Sequence, residues 1–226
     1  MPTTRTSHSW AVETWKGDAH THHARPMPEA MQRSVWIHEL NRPALVLGSA
    51  QPWSTVEPSL PGKLGVELVR RRSGGGAVFL LPGDVAWVDV LLPSDDELWE
   101  DDISRSGFWL GQLWCSALAD LGLTGGEVHT GRLELGELGR LVCFGAVGPG
   151  EVTLDGRKLV GVSQRRNRHG ARFQCAVYHT WSPGMLAHLL GLEPAAAQPL
   201  ADMAVGSGIA PARMVDAFLT RLHATT

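Results

Sequence analysis

The stretch Arg71-Arg72-Ser73-Gly74-Gly75-Gly76-Ala77-Val78-Phe79 decides how the rest of the chain is read. Three consecutive glycines after a basic strand end let backbone N–H groups approach a ligand without side-chain hindrance, and such a loop binds an anion. It lacks the Gly-Lys-Ser/Thr ending of a Walker loop, and no dinucleotide-fold helix follows it, so the two common nucleotide motifs are excluded. The simpler alternative is a flexible hairpin loop whose arginines face water.

Working outward, Gly65 to Val69 suggests the strand that feeds the loop, and Ala44 to Leu47 a short buried strand before Gly48. Val85 to Leu92 is β-rich and almost continuously apolar, which predicts an internal strand covered on both faces. From Asp101 the spacing of Ile103, Leu110, Leu113, Trp114, Ala117, Leu118 and Leu121 predicts a helix ended by Gly122, with Asp101 and Asp102 at its N-terminal dipole. Strands are predicted again over Leu141 to Phe144, Glu151 to Leu154, Arg157 to Ser163 and Ala171 to Trp181. Asp155-Gly156 between two of them is a hairpin signal, because both central residues of a type I′ turn need φ > 0. Lys158 sits just past that turn, where a partly exposed side chain is expected. Helices are predicted over Pro183 to Leu190 and Pro211 to His223, and another after Pro26 and Pro28 with Met31, Val35 and Leu40 on one face. The first 26 residues are polar and show no period, so they read as a flexible N-terminal segment ahead of a single domain over 27–226.

Composition narrows the function classes. Hydrophobic residues make up 43% of 226, enough for a core and too many for a disordered chain. The formal charge of -3 supplies no broad basic surface, which argues against a nucleic-acid partner. No run of about 18 apolar residues suggests a membrane span. Cys115, Cys143 and Cys175 form no CxxC pair and cannot all be bonded to one another, which suits a reducing, cytoplasmic compartment. His20, His22 and His23 lie in an unpatterned segment without obvious carboxylate partners, so no metal site is expected there.

Read with its neighbours, Arg-Arg-x-Ser-Gly-Gly-Gly-Ala-Val-Phe resembles the signature of the lipoate-protein ligase and octanoyltransferase family. Gly48-Ser49-Ala50-Gln51-Pro52-Trp53 is similar to that family's upstream segment. Asp155-Gly156-Arg157-Lys158-Leu159-Val160-Gly161-Val162-Ser163-Gln164-Arg165 is similar to its Gly-Arg-Lys strand, and the three stand in the family's order over roughly residues 41 to 190. The resemblance implies an α/β (α+β) catalytic domain with a mixed, largely antiparallel sheet flanked by helices, related to biotin ligases and class II synthetase-like sheets. It implies transfer of lipoate or octanoate to a lysine of an acceptor domain, from a 2-oxoacid dehydrogenase or a glycine-cleavage protein, with ATP and Mg if the reaction runs through an acyl-adenylate. By the same resemblance Lys158 contacts the acyl carbonyl and stabilises the developing oxyanion. Arg71, Arg72, Ser73, Gly74, Gly75, Gly76 and Ala77, with Gly161, Ser163 and Gln164, form the donor site, where Arg71 or Arg72 pairs with phosphate. Arg165, Arg166 and Arg168 form a second basic patch that either meets an acidic acceptor or simply faces water.

Cys143 separates two mechanisms. One branch of octanoyltransferases forms a thioester on a cysteine before Phe, and Cys143-Phe144 resembles that arrangement; the alternative is an inert thiol on a buried strand. The chain also departs from the family. Leu80-Leu81 stands in place of His-Asp, Gln174-Cys175 in place of His-Gly, and the ligase Asn-Asp pair is not evident. The length leaves no room for the accessory C-terminal domain that many full ligases carry. A ligase acting through an adenylate, a Cys143-dependent transferase and a non-catalytic acyl- or acceptor-binding homologue are the three readings these residues leave.

Overall fold

A computed structural model describes residues 9–225. In chain order the elements are β1 (Ala11–Gly17), α1 (Ala19–Ala24), β2 (Ser34–Leu40), β3 (Ala44–Leu47), α2 (Leu60–Lys63), β4 (Glu67–Arg70), β5 (Val78–Leu80), β6 (Val85–Pro93) and α3 (Phe108–Asp120). They continue as β7 (Glu127–Val128), β8 (Glu134–Leu135), β9 (Ala146–Val147), β10 (Val152–Leu154), β11 (Arg157–Asn167), β12 (Gly170–Tyr178), α4 (Gly184–Leu189), α5 (Pro194–Met203) and α6 (Pro211–Ala224). A seven-stranded sheet runs β1-β2-β6-β12-β11-β10-β7, antiparallel except for the β1–β2 pair. A smaller sheet, β4-β3-β5, packs on it. This is the expected mixed, largely antiparallel α/β fold.

Residue parity along β6 explains the layering. Ala86, Val88, Val90 and Leu92 join α3 and α6 in one core, whereas Val85 and Trp87 face the small sheet. Every residue from Val85 to Leu92 is buried, as the continuous apolar run predicts. On β12 the same alternation sends Phe173, Cys175 and Val177 into the helix-side core. Its other face carries Arg172, Gln174, Ala176 and Tyr178. The large sheet is therefore a partition between a structural core and a second face that carries the polar groups.

Several sequence expectations change. The helix predicted after Pro28 is instead strand β2 from Ser34 onward, because Val35, Trp36 and His38 are buried between β1 and β6, and a strand covered on both faces has no helical stripe to distinguish it. The N-terminal segment is not a lead-in over residues 11–24: β1 pairs in parallel with β2 through its backbone, and its exposed side chains leave no apolar period to read. The guanidinium of Arg25 lies between the rings of Trp15 and Trp36, 3.5 and 3.6 Å from their centroids. Residues 1–8 of that segment lie outside the described residues. Helix α3 begins at Phe108 rather than Asp101, since Asp102 caps a local turn through the Ser104 N–H at 2.8 Å and Ile103 is 68% exposed. Leu141 to Phe144 makes only a bridge, Ala77 to Val142, before a 3₁₀ turn over Cys143–Gly145. Helix α5, which the apolar spacing did not suggest, packs its Leu200 under the small sheet. The Asp155-Gly156 turn is as predicted, with φ of 51° and 74°.

Candidate active site

The glycine loop leaves β4 and enters β5 under tight control. Arg71 is buried, and its Nη2 donates to the carbonyls of Gly74 (2.7 Å) and Gly76 (2.9 Å). That guanidinium is therefore the internal brace of the loop, which replaces the expectation that Arg71 pairs with phosphate. Gln51 ties together two segments that flank the loop: its Oε1 accepts from the Gly48 N–H at 2.9 Å and its Nε2 donates to the Leu141 carbonyl at 3.0 Å, while the Ser49 N–H donates to the Ser73 carbonyl and the Ala77 N–H to the Leu141 carbonyl. Gly48 must be glycine, since a Cβ there would lie 1.8 Å from the Gly75 carbonyl oxygen. The upstream Gly-x-x-Gln segment thus serves to shape the Ser-Gly-Gly-Gly loop.

A cleft of ≈ 790 Å³ opens over this loop. It brings together Gly74, Gly75, Gly76, Cys143, Lys158, Ser163 and Gln164 among the residues singled out from the sequence. Arg71 and Gly161 reach instead a smaller chamber of ≈ 50 Å³ at the inner end, which shares Cys143, Val162 and Ser163 with the cleft. Arg72 is exposed and lines neither space; Ala77 is buried behind the loop. Ser73 lies in neither lining but its Oγ is 3.2 Å from Ser163 Oγ. Arg166 is drawn away from any docking patch, its guanidinium over the Trp99 ring and its Nη2 donating to the Glu100 carbonyl at 2.6 Å.

Lys158 is 1% exposed, so the expectation of a partly solvated side chain does not hold. The tight turn starts β11, and Lys158 to Gly161 are all buried. Its Nζ donates to the carbonyls of Cys143 and Ala146, both at 3.0 Å, and pairs with Glu151 Oε1 at 2.7 Å. Glu151 is itself buried and fixed, accepting from the Gly148 N–H at 2.7 Å and the Val162 N–H at 3.0 Å. Sequence reasoning missed Glu151, although it opens the hairpin that carries Lys158. It also missed Arg132, a cation on the cleft wall, and the Ser106 hydroxyl, which donates to Gln164 Oε1 at 2.7 Å.

Cys143 is half-buried beneath the loop, its Sγ 3.8 Å from where a Cβ on Gly75 would stand. It is thus neither on a strand nor sealed in a core. Cys175 is sealed, and burial pushes its thiol up to about 12.

Behind the chamber lies a buried polar network. Asp89 accepts from His38 Nε2 (2.9 Å), Trp87 Nε1 (2.9 Å) and Arg172 Nε (2.7 Å), while the other Arg172 nitrogens hold the carbonyls of His22 and Arg25, both at 2.9 Å. Arg172 therefore straps α1 to β12 and sets His23 against the chamber. His22 and His23 are built into this packing, His22 Nε2 bonding the Glu39 carbonyl at 3.1 Å. Among the described residues no group of three His, Cys, Asp or Glu is arranged to hold a metal ion.

Burial pushes the His23 imidazole down to about 3 from its ordinary 6.5. Protonation then favours the unfolded chain, so this contribution is full above pH 6.5 and is lost as pH falls toward 3. Between pH 7 and pH 5 the loss is about 2 kcal/mol, or roughly 4–8 °C in Tm for a domain of this size. Thermal unfolding at the two pH values should show that much less acid sensitivity in His23→Phe; equal sensitivity would mean that His23 is not the buried group described.

Crystalline lipoate-protein ligase A bound with ATP superposes with a TM-score of 0.72 at 17% identity, covering 96% of this chain and 84% of that one. A bipartite lipoate protein ligase from Thermoplasma acidophilum, described with its E2 lipoyl domain, gives 0.72 at 17%, covering 96% and 82%. The T. acidophilum protein Ta0514 with bound lipoic acid gives 0.69 at 17%, covering 96% and 84%. No curated protein matches in sequence. At these identities the solved structures speak for the fold. The family model of the lipoyl protein ligase A/B catalytic domain, however, matches residues 7–208, spanning the braced glycine loop, Cys143 and the buried Lys158, and the chain belongs to that family.

Proposed function

We propose that the chain attaches a lipoyl or octanoyl group to a lysine of a lipoyl-type acceptor domain through an acyl-adenylate. The observation that carries this is the size and lining of the cleft: ≈ 790 Å³ is more than a medium-chain acyl group needs, and it is floored by the glycine loop with Arg132 and Lys158 on its walls. Exposed loop backbone and the Arg132 guanidinium suit phosphate oxygens, and a ligase of this fold binds ATP. With no protein cage for a metal among the described residues, magnesium would be held chiefly by the nucleotide's phosphates. In the first step the acyl carboxylate displaces pyrophosphate from ATP. In the second the acceptor amine attacks the acyl carbonyl, loses a proton and expels AMP, with Lys158 facing the developing oxyanion after exchanging one of its carbonyl partners. Exposed Ile103 (68%) and Leu133 (58%) at the cleft mouth offer apolar footing to an acceptor domain, the type of partner seen with the archaeal bipartite ligase.

The half-buried Cys143, lining both cleft and chamber, supports a second reading in which its thiolate attacks an acyl thioester donor, releases the donor thiol and carries the acyl group to the acceptor amine. Incubation of a lipoyl domain with free lipoate or octanoate, or with an octanoyl thioester donor, each with and without ATP and magnesium, separates the two by mass spectrometry. Strict ATP dependence with unchanged transfer in Cys143→Ala is the expected result. An ATP-independent adduct on Cys143, lost with transfer in that variant, would overturn the adenylate route.

A further inference from the structure

The partners of Lys158 fix its protonation state. Its Nζ meets three acceptors, the carbonyls of Cys143 and Ala146 at 3.0 Å and Glu151 Oε1 at 2.7 Å, and an ammonium has three N–H groups to donate. The Phe144 ring, its centroid 5.0 Å from Nζ, adds a face that attracts a cation. Lys158 is therefore an ammonium with every donor engaged and no lone pair. Glu151 carries the only carboxylate among the described residues that line the cleft. Its Oε1 also accepts from the Val162 N–H at 3.0 Å, and its Oε2 from the Gly148 N–H at 2.7 Å. Hydrogen bonds to an ionised carboxylate favour that form, so the proton shared by the pair stays on the lysine.

A lysine amine is also the group that the reaction acylates. On the acyl-transfer reading Lys158 faces the carbonyl of an activated acyl group, within reach of an attacking nitrogen. A neutral Lys158 would compete with the acceptor: its nitrogen would bond to the acyl carbon, the bond from that carbon to the AMP oxygen would break, and AMP would leave with the electron pair. The ammonium has to lose one proton to attack and a second to finish as an amide. With the first proton held, neither happens. A thioester donor presents the same hazard, with a thiol leaving in place of AMP.

We propose that Glu151 is the positioning residue that keeps Lys158 a hydrogen-bond donor and prevents the enzyme from acylating its own lysine. The inference rests on the acyl-transfer reading and assigns the ion pair a second task within it. Without the carboxylate, the ammonium would be buried at 1% exposure with two carbonyls and a ring as its only partners, and burial disfavours the charged form of a lysine. A proton lost to water in the cleft then leaves a nucleophile beside the acyl carbonyl.

Glu151→Gln and, independently, Glu151→Ala test this on the full chain. Each is incubated without acceptor domain, with octanoyl-adenylate or an octanoyl thioester, whichever the wild type uses, supplied ready-made so that a defect in activation hides nothing. Peptide mass spectrometry then maps the acyl group. The wild type should carry none on Lys158 and keep its transfer rate after the incubation. Each folded variant should gain a single acyl group on Lys158 and lose transfer in proportion to the acylated fraction, while a sample incubated without donor loses none. A merely structural role would lower the rate without this dependence on donor. Lys16 and Lys63 are exposed and report acyl donor reacting from solution. Acylation of Lys158 in the wild type, or an adduct confined to Lys16 and Lys63 in both folded variants, overturns the inference and leaves the acyl reading standing. Absence of transfer by the wild type from every donor overturns the acyl reading and the inference with it.

Discussion

Lys158→Met is expected to abolish acyl transfer and to destabilise the protein at the same time. The rate loss should be about 10²–10³-fold if Lys158 is the donor to the developing oxyanion. The stability loss follows from Glu151, which is 6% exposed and would keep its charge with no cation beside it. Breaking a buried pair by removing one partner costs about 3–5 kcal/mol. The two effects are separable. In Lys158→Met with Glu151→Gln, the amide still accepts from one of the N–H groups of Gly148 and Val162 and no charge is stranded, so most of the stability should return while transfer stays absent. Urea unfolding and a single-turnover transfer assay on both variants provide the check. Transfer by the folded double variant would remove Lys158 from the chemistry.

Arg172→Met should cost a similar amount by a different route. Asp89 is fully buried, which by itself raises its pKa, but the charges of His38 and Arg172 and their hydrogen bonds outweigh burial and hold the carboxyl well below the usual range. Without Arg172 the carboxylate keeps His38 and Trp87 alone, and the carbonyls of His22 and Arg25 lose their donors. A loss of about 3–5 kcal/mol is expected, visible as a lower urea midpoint. Hydrogen exchange should quicken first in α1, the element the strap holds. If the unfolding free energy falls by less than about 1 kcal/mol, the network is not the buried, uncompensated system described.

Comparing residues with their environments shows why some of this was legible beforehand. The Asp-Gly turn was readable because backbone sterics alone demand φ > 0 there, and β6 because a strand covered on both faces must be apolar throughout. Membership in the ligase family was readable because three segments recur in order, and each now has a mechanical reason: Gly48 and Gln51 shape the glycine loop, and the tight turn delivers Lys158. Strand β1 and the 3₁₀ turn at Cys143 were not readable. The first is held by backbone hydrogen bonds to β2 with its side chains in water, and the second by contacts with Ala77 and Lys158 far away in the chain.

From its sequence alone the protein could be assigned a mixed α/β domain, a glycine-rich loop between two strands and a lysine on a hairpin, since these depend on local sterics, periodicity and residue type. Tertiary structure decided what those groups do. It turned Arg71 inward as a brace, buried Lys158 against Glu151, placed Cys143 at the junction of cleft and chamber, and set His23 from the N-terminal segment beside Gln174 of β12. Burial and long-range pairing determine whether a charge is solvated, paired or unanswered, and no local pattern encodes which distant carbonyl, carboxylate or ring will stand beside it.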